Sequence, residues 1–319
     1  MGGHRVRRRR LPRRGGRRRP GGPAVERHRR RDLGPAGRPG GRPRAAPLPW
    51  SGRGITVAVL DTGYDAHHPD LDGRVALSHS FIPGETAQDG NGHGTHVAGT
   101  IGAVRHPSGG QRRYSVAPGC RLLVGKVLGN SGGGTSGGVL AGMNWAIEQG
   151  ADVISMSLGS DTRVGDTYLR YYEAAGRAAL DAGSIIVAAA GNNGDNPVGS
   201  PANCPSVLAV AAVDQHLRRA PFSSIALNGN GGEVNIAGPG VGIYSSWPVD
   251  AGSYQVLRGT SMATPHVSGI AALYAQATGL RGRELSEKLL GTATALAEGS
   301  QLVGRGLATA PTRPAAAKP

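Results

Sequence analysis

Three short segments of this 319-residue chain carry side chains able to act on one another: Asp61-Thr62-Gly63, His93-Gly94-Thr95-His96-Val97-Ala98-Gly99 and Gly259-Thr260-Ser261-Met262-Ala263-Thr264-Pro265-His266. They supply a carboxylate, an imidazole and a hydroxyl. A serine hydroxyl is a weak nucleophile until a neighbouring base takes its proton. An imidazole titrating near neutrality can take that proton and later return it to a leaving group. A carboxylate behind the imidazole fixes its tautomer and stabilises the imidazolium as it forms. Ser261 stands between a glycine turn and an apolar helical run, where unpaired backbone N–H groups face developing negative charge.

Each of these residues also has a plainer reading. Ser261 alone reads as an N-cap, and Asp61 as a turn or cap residue with Asp65 and Asp70 close by. His96 lies three residues after His93 and competes for the role of base. The two histidines also have a spacing that could share a metal. No third ligand is signalled nearby, and Gly94-Thr95 lacks the glutamate of a His-Glu-x-x-His zinc motif. A fourth segment, Ala188-Ala189-Ala190-Gly191-Asn192-Asn193-Gly194, offers side-chain amides. Acyl transfer places negative charge on the former carbonyl oxygen, and preorganised donors there are usually the largest catalytic contribution. Otherwise Asn-Asn-Gly is a turn.

The elements that must position these groups form an alternating series. Residues 55–60, 122–128, 152–158, 185–190 and 207–213 are short apolar runs of the kind that form parallel strands buried on both faces. Helical stretches at 93–104, 136–149, 167–181 and 262–278 lie between and after them. The series predicts an α/β fold: a mostly parallel central sheet with helices on both faces. Functional groups of such sheets collect at the carboxyl ends of strands. Asp61 directly follows the first run and Asn192 follows the fourth by two residues, while His93 and Ser261 begin helices. All four are expected to converge on one edge of the sheet.

Charge divides the chain in two. Residues 1–50 hold 17 Arg against Glu26 and Asp32, a net of +15 that equals the charge of the whole chain. Residues 51–319 therefore sum to zero. The first segment is nearly all Arg, Gly, Pro and Ala, too poor in apolar residues to offset chain entropy, so disorder is expected there. Clustered Arg could bind a polyanion by counterion release, but no aromatic residue precedes Trp50 to stack on bases. A leader, or a stretch upstream of a mis-set start, is the plainer reading. No apolar core of a signal peptide follows the basic residues, and no run approaches the roughly 20 apolar residues of a membrane span. Cys120 and Cys204 are the only cysteines, and their number leaves a disulfide and two free thiols both open.

In the order Asp, His, Ser, the motifs resemble those of subtilisin-like serine proteases, the subtilases of peptidase family S8. The resemblance spans roughly residues 50–308 and implies the three-layer subtilisin-like α/β fold. It also implies a serine endopeptidase working through an acyl-enzyme on Ser261. His93 is then the acting histidine with His96 structural, Asp61 the orienting acid, and Asn192 rather than Asn193 the oxyanion donor beside the Ser261 N–H. Gly132-Gly133-Gly134 and Ser157-Leu158-Gly159 match segments that flank an extended peptide by β-augmentation; composition alone would make the first a flexible loop. Ala188, Ala189, Ala190 and Gly191 match the wall of the pocket for the residue before the scissile bond. No acid or base occurs in these segments, which implies a roomy, apolar pocket and broad specificity. Pro201 matches a position that is cis in some members.

No cofactor is required for this chemistry. Asp70 matches a position that often ligates structural calcium. Residues 105–113, however, hold three arginines where Asn and Asp would complete six to eight oxygen ligands, so that site is expected to be lost. The resemblance implies protein or peptide substrates and a secreted protein; the residues themselves signal no sequence-specific nucleic acid and no membrane span, and a monomer is the working expectation. The expected organisation is a disordered segment at 1–50, a peptidase domain at 51–308 and a disordered tail at 309–319. Residues 1–50 resemble neither the signal peptide nor the folded pro-region common in the family. A peptide-binding pseudoprotease and a polyanion-binding protein remain the alternatives.

Overall fold

Thr56–Asp61 (β1) shows how the sheet is built. Its side chains alternate between two cores: Val57 and Val59 pack into one, Ala58 and Leu60 into the other. A strand whose successive residues Val57–Leu60 are all apolar puts apolar side chains on both faces and must be covered on both. The computed structural model describes residues 49–312. The Arg-rich segment expected over 1–50 lies outside the described residues but for its last two.

Six further strands join β1: Val75–Ser80 (β2), Arg121–Lys126 (β3), Val153–Met156 (β4), Ile185–Ala189 (β5), Val207–Val213 (β6) and Ile236–Pro239 (β7). All pair in parallel in the order β2-β3-β1-β4-β5-β6-β7. One core receives the helices His93–Gly102 (α1), Thr260–Thr278 (α4) and Gly282–Gly291 (α5). The other receives Ser136–Glu148 (α2), Arg170–Asp181 (α3) and Ser300–Val303 (α6). This is the three-layer architecture expected. β1 lies between β3 and β4, where the strand order reverses, and its carboxyl end is therefore the switch-point crevice of the sheet.

A two-stranded antiparallel sheet, Ile243–Ser246 (β8) with Tyr254–Leu257 (β9), stands apart and packs against α1. Ser245 Oγ and Ser246 Oγ donate to the carbonyls of His96 and Thr95. Cys120 and Cys204 are both buried free thiols in opposite cores, so the sheet separates them. Of the tail expected over 309–319, the described residues include 309–312. Thr309 Oγ1 donates to Thr292 O at 2.9 Å, Ala310 packs on the core and Pro311 is buried. Among the described residues no helix is long and apolar enough to cross a membrane.

Candidate active site

Asp61 ends β1 and is fully buried. Its carbonyl accepts from Val127 N and Leu128 N, which ties it to the chain leaving β3. Its Oδ1 accepts from Thr62 N at 2.8 Å and from His93 Nδ1 at 2.7 Å. The latter bond fixes the tautomer and leaves Nε2 of His93 to take a proton. It also requires α1 to sit almost on the β1 turn. A Cβ on Gly94 would lie 2.1 Å from Gly63 O, which explains the glycine between the two halves of the histidine motif.

The start of α1 is held by Asp89, a buried carboxylate with every oxygen in use. Oδ1 accepts from Thr62 Oγ1, Asn91 N and Gly92 N, and Oδ2 accepts from Thr95 N and Thr95 Oγ1. Thr62 Oγ1 in turn accepts from Gly94 N. One acid thus caps the helix and binds it to the residue after Asp61. Burial alone would lower the His93 pKa, but the Asp61 charge, the Asp61 hydrogen bond and the Asp89 charge outweigh it. The imidazole is held above the usual histidine value. Its edge is 26% exposed.

His96 is different in kind. Its ring is fully buried, its Nε2 donates to Ile243 O at 3.0 Å, and burial lowers its pKa to about 4. It is a neutral strut between α1 and β8, in line with the structural role expected. Asp65 is likewise occupied elsewhere, accepting from His67 N, Gln88 Nε2 and Val249 N.

Ser261 is the second residue of α4, after Gly259 with φ 152° and ψ 162°. Residues with a Cβ avoid that conformation. Thr260 N and Thr260 Oγ1 both donate to Asn192 Oδ1, at 2.8 and 3.0 Å. A backbone N–H can only donate, so the amide oxygen must face Thr260 and Nδ2 is turned the other way. Ser261 Oγ donates to Ser157 O at 3.2 Å. Among the described residues it makes no hydrogen bond to His93, so the expected Ser–His bond is not formed in this rotamer. Such bonds often tighten only when substrate is bound.

His93, Asn192 and Ser261 line one cavity of about 610 Å³. Gly132, Gly133 and Gly134 line it on one side, and Ser157, Leu158, Gly159, Ala189 and Gly191 on another. Ala188 and Ala190, also expected there, are instead fully buried in the core, because alternate residues of β5 and its extension face away from the cleft. The Ser200–Pro201 peptide is cis, and both residues reach the cavity. Lys126, fully buried at the end of β3, donates to Thr62 O at 2.5 Å and Asn130 Oδ1 at 2.8 Å, and pairs with Glu85 at 3.1 Å. The glycine wall is thereby tied to the turn that carries Asp61. The sequence reading missed this lysine's contacts, the clamp from Thr260 and, among the lining residues, the carboxylate of Asp161.

Asp70 does not fit a cation. Its Oδ1 accepts from Ser108 N at 2.7 Å, and its Oδ2 from Tyr114 Oη at 2.7 Å and Tyr254 Oη at 3.0 Å. Calcium needs several oxygen acceptors around it. Here N–H and O–H donors converge on the carboxylate instead, supplied by residues 108 and 114 of the loop after α1 and by β9.

The subtilase family model matches residues 52–306. The chain is 42% identical over 264 residues to subtilisin DY of Bacillus licheniformis, covering 81% of this chain and 90% of that one. It is 41% identical over 264 residues to thermitase of Thermoactinomyces vulgaris, covering 80% and 90%. The solved structure of sphericase is similar with a TM-score of 0.74 at 34% identity, over 83% of this chain and 94% of its own. Fold, site geometry and these likenesses agree: the chain belongs to the subtilase family and is a serine endopeptidase.

Proposed function

We propose that the enzyme cleaves peptide bonds in proteins with Ser261 as nucleophile, His93 as base and then acid, and Asp61 as the orienting carboxylate. His93 Nε2 takes the Ser261 proton as Oγ bonds to the scissile carbonyl carbon. The tetrahedral oxyanion is stabilised by Asn192 Nδ2 and by the Ser261 N–H, which has no intrahelical acceptor at the second position of α4. Collapse passes the proton from His93 to the leaving amine and leaves an acyl-enzyme. A water molecule, deprotonated by His93, then releases the acid product and restores Ser261. No cofactor enters these steps.

The observation that carries this reading is the 2.7 Å Asp61–His93 bond behind a cavity that Ser261 and Asn192 also line. An extended substrate runs between Gly132–Gly134 and Ser157–Gly159, its main chain pairing with theirs. Ala189 and Gly191 make a largely apolar pocket for the residue before the scissile bond, and specificity is broad. Residues 51–308 form the peptidase domain, acting outside the cell as a monomer.

A fluorophosphonate probe followed by peptide mapping tests the assignment. The expected result is a stoichiometric adduct on Ser261 that is absent from Ser261→Ala. Folded protein that hydrolyses peptides but carries no adduct at Ser261 would overturn it. Ser261→Ala is expected to lose turnover by about a millionfold, the loss known for a subtilisin triad serine, while still binding peptide.

A further inference from the structure

Asp161 is the one carboxylate among the residues lining the cavity, and no lysine or arginine lines it. Its backbone is pinned on both sides. Ser160 exchanges two 2.9 Å hydrogen bonds with Ser200, and Thr162 Oγ1 donates to Val198 O at 2.8 Å. Asp161 therefore continues the Ser157–Ser160 wall where that wall meets Ser200 and Pro201. Among the described residues its exposed carboxylate enters no ion pair.

From this placement we infer that Asp161 is a specificity-determining residue that tunes the broad pocket, favouring Arg or Lys over Glu before the scissile bond. The inference rests on the cleavage site proposed above. A long cationic side chain suits both parts of the pocket. Leu158, Ala189 and Gly191 offer apolar surface to its methylene stem, and Asp161, lining the same cavity, offers a carboxylate to its charged end. A glutamate in the same place would bring like charge to Asp161. The pocket thus remains open to apolar side chains while grading charged ones by sign.

The test uses three fluorogenic peptides differing only in that residue: Arg, Leu or Glu. Values of kcat/KM are taken as Arg:Leu and Glu:Leu ratios within each protein. Exposed ion pairs are weak, so Asp161→Asn is expected to lower Arg:Leu by about two- to fivefold and to raise Glu:Leu. Asp161→Lys should carry both ratios further in the same directions, and added salt should shrink the wild-type Arg:Leu ratio. Ratios that are unchanged in both variants and insensitive to salt would overturn the inference. The underlying site is judged separately: Ser261→Ala must be inactive on all three peptides, and turnover by that variant would refute the cleavage site rather than the role of Asp161.

Discussion

Ser157 and Ser261 hold each other by two crossed hydrogen bonds: Ser157 Oγ donates to Ser261 O at 2.8 Å, and Ser261 Oγ donates to Ser157 O at 3.2 Å. The first bond answers a defect in α4. Pro265 lies four residues after Ser261 and has no N–H, so the Ser261 carbonyl lacks its helical donor. A hydroxyl from the substrate-binding wall replaces it. The start of the nucleophile's helix and the wall of the cleft are thereby joined at one point.

Ser157→Ala should therefore cost about 1 kcal/mol, or about 2–4 °C in Tm, by stranding that carbonyl. Made in the Ser261→Ala protein, which keeps the carbonyl and cannot digest itself, the change is readable by thermal unfolding. Adding Pro265→Ala restores an N–H for the helix, so the loss from Ser157→Ala should shrink in that background. Additive losses would show that the two residues do not share the carbonyl.

The orientation of Asn192 leads to a prediction about rate. Asn192→Ala should lower kcat by about a hundred- to a thousandfold, the loss known for the oxyanion asparagine of a subtilisin. Thr260→Val keeps the backbone donor to Asn192 Oδ1 but removes the hydroxyl donor. A loosened amide should lower kcat about fivefold with little change in KM, the pattern of an interaction made chiefly in the transition state. Thr260→Ser should recover most of the rate. A loss confined to KM, or no rescue by serine, would argue for simple packing at this position.

The charge state of His93 sets the acid limb of the pH profile. The neutral ring is the active base, and Asp61 and Asp89 hold its pKa above 6.5 against the effect of burial. The limb of kcat/KM should accordingly have an apparent pKa above 6.5, since this parameter reports the free enzyme. Stability follows the opposite sign. A raised folded pKa contributes stability that is fully present below the unfolded value of about 6.5 and fades as pH rises through the folded one. His96, lowered to about 4, contributes stability present above 6.5 and lost as pH falls toward 4. An acid limb at or below 6.5 would contradict the electrostatics of the site.

What the sequence disclosed follows from how each feature is encoded. β1, β5 and β6 are continuous apolar runs, and the chemical residues sit beside them in dense local motifs. β2 was not legible because it is an edge strand with exposed Ala76, Leu77 and His79 and no apolar run. The phase of β5 was lost too: an unbroken row of alanines does not say which of Ala188, Ala189 and Ala190 faces the cleft. Asp161 and the Thr260 clamp depend on pairings between residues 160 and 200 and between 192 and 260. Such long-range pairings leave no periodic trace in the chain.

Asp70 gives a prediction about metal. Its carboxylate is pushed up by burial, but the Ser108 N–H and the Tyr114 and Tyr254 hydroxyls outweigh this and hold it below the ordinary value. It therefore contributes stability present above the unfolded pKa, near 3.8, and lost as pH falls through the folded value. Asp70→Asn can keep the Ser108 N–H bond on Oδ1, but it removes the charge and turns Nδ2 toward the tyrosine hydroxyls, which must then accept; losing the charge-assisted bonds should cost about 1–3 kcal/mol. Tyr114→Phe and Tyr254→Phe each remove one bond and should cost about 1 kcal/mol. Because donors rather than acceptors surround Asp70, the Tm gap between its parent and Asp70→Asn should be the same in excess calcium and in excess chelator. Measured on Ser261→Ala backgrounds, a gap that widens with calcium would show that Asp70 ligates the ion and that the tyrosines yield to it.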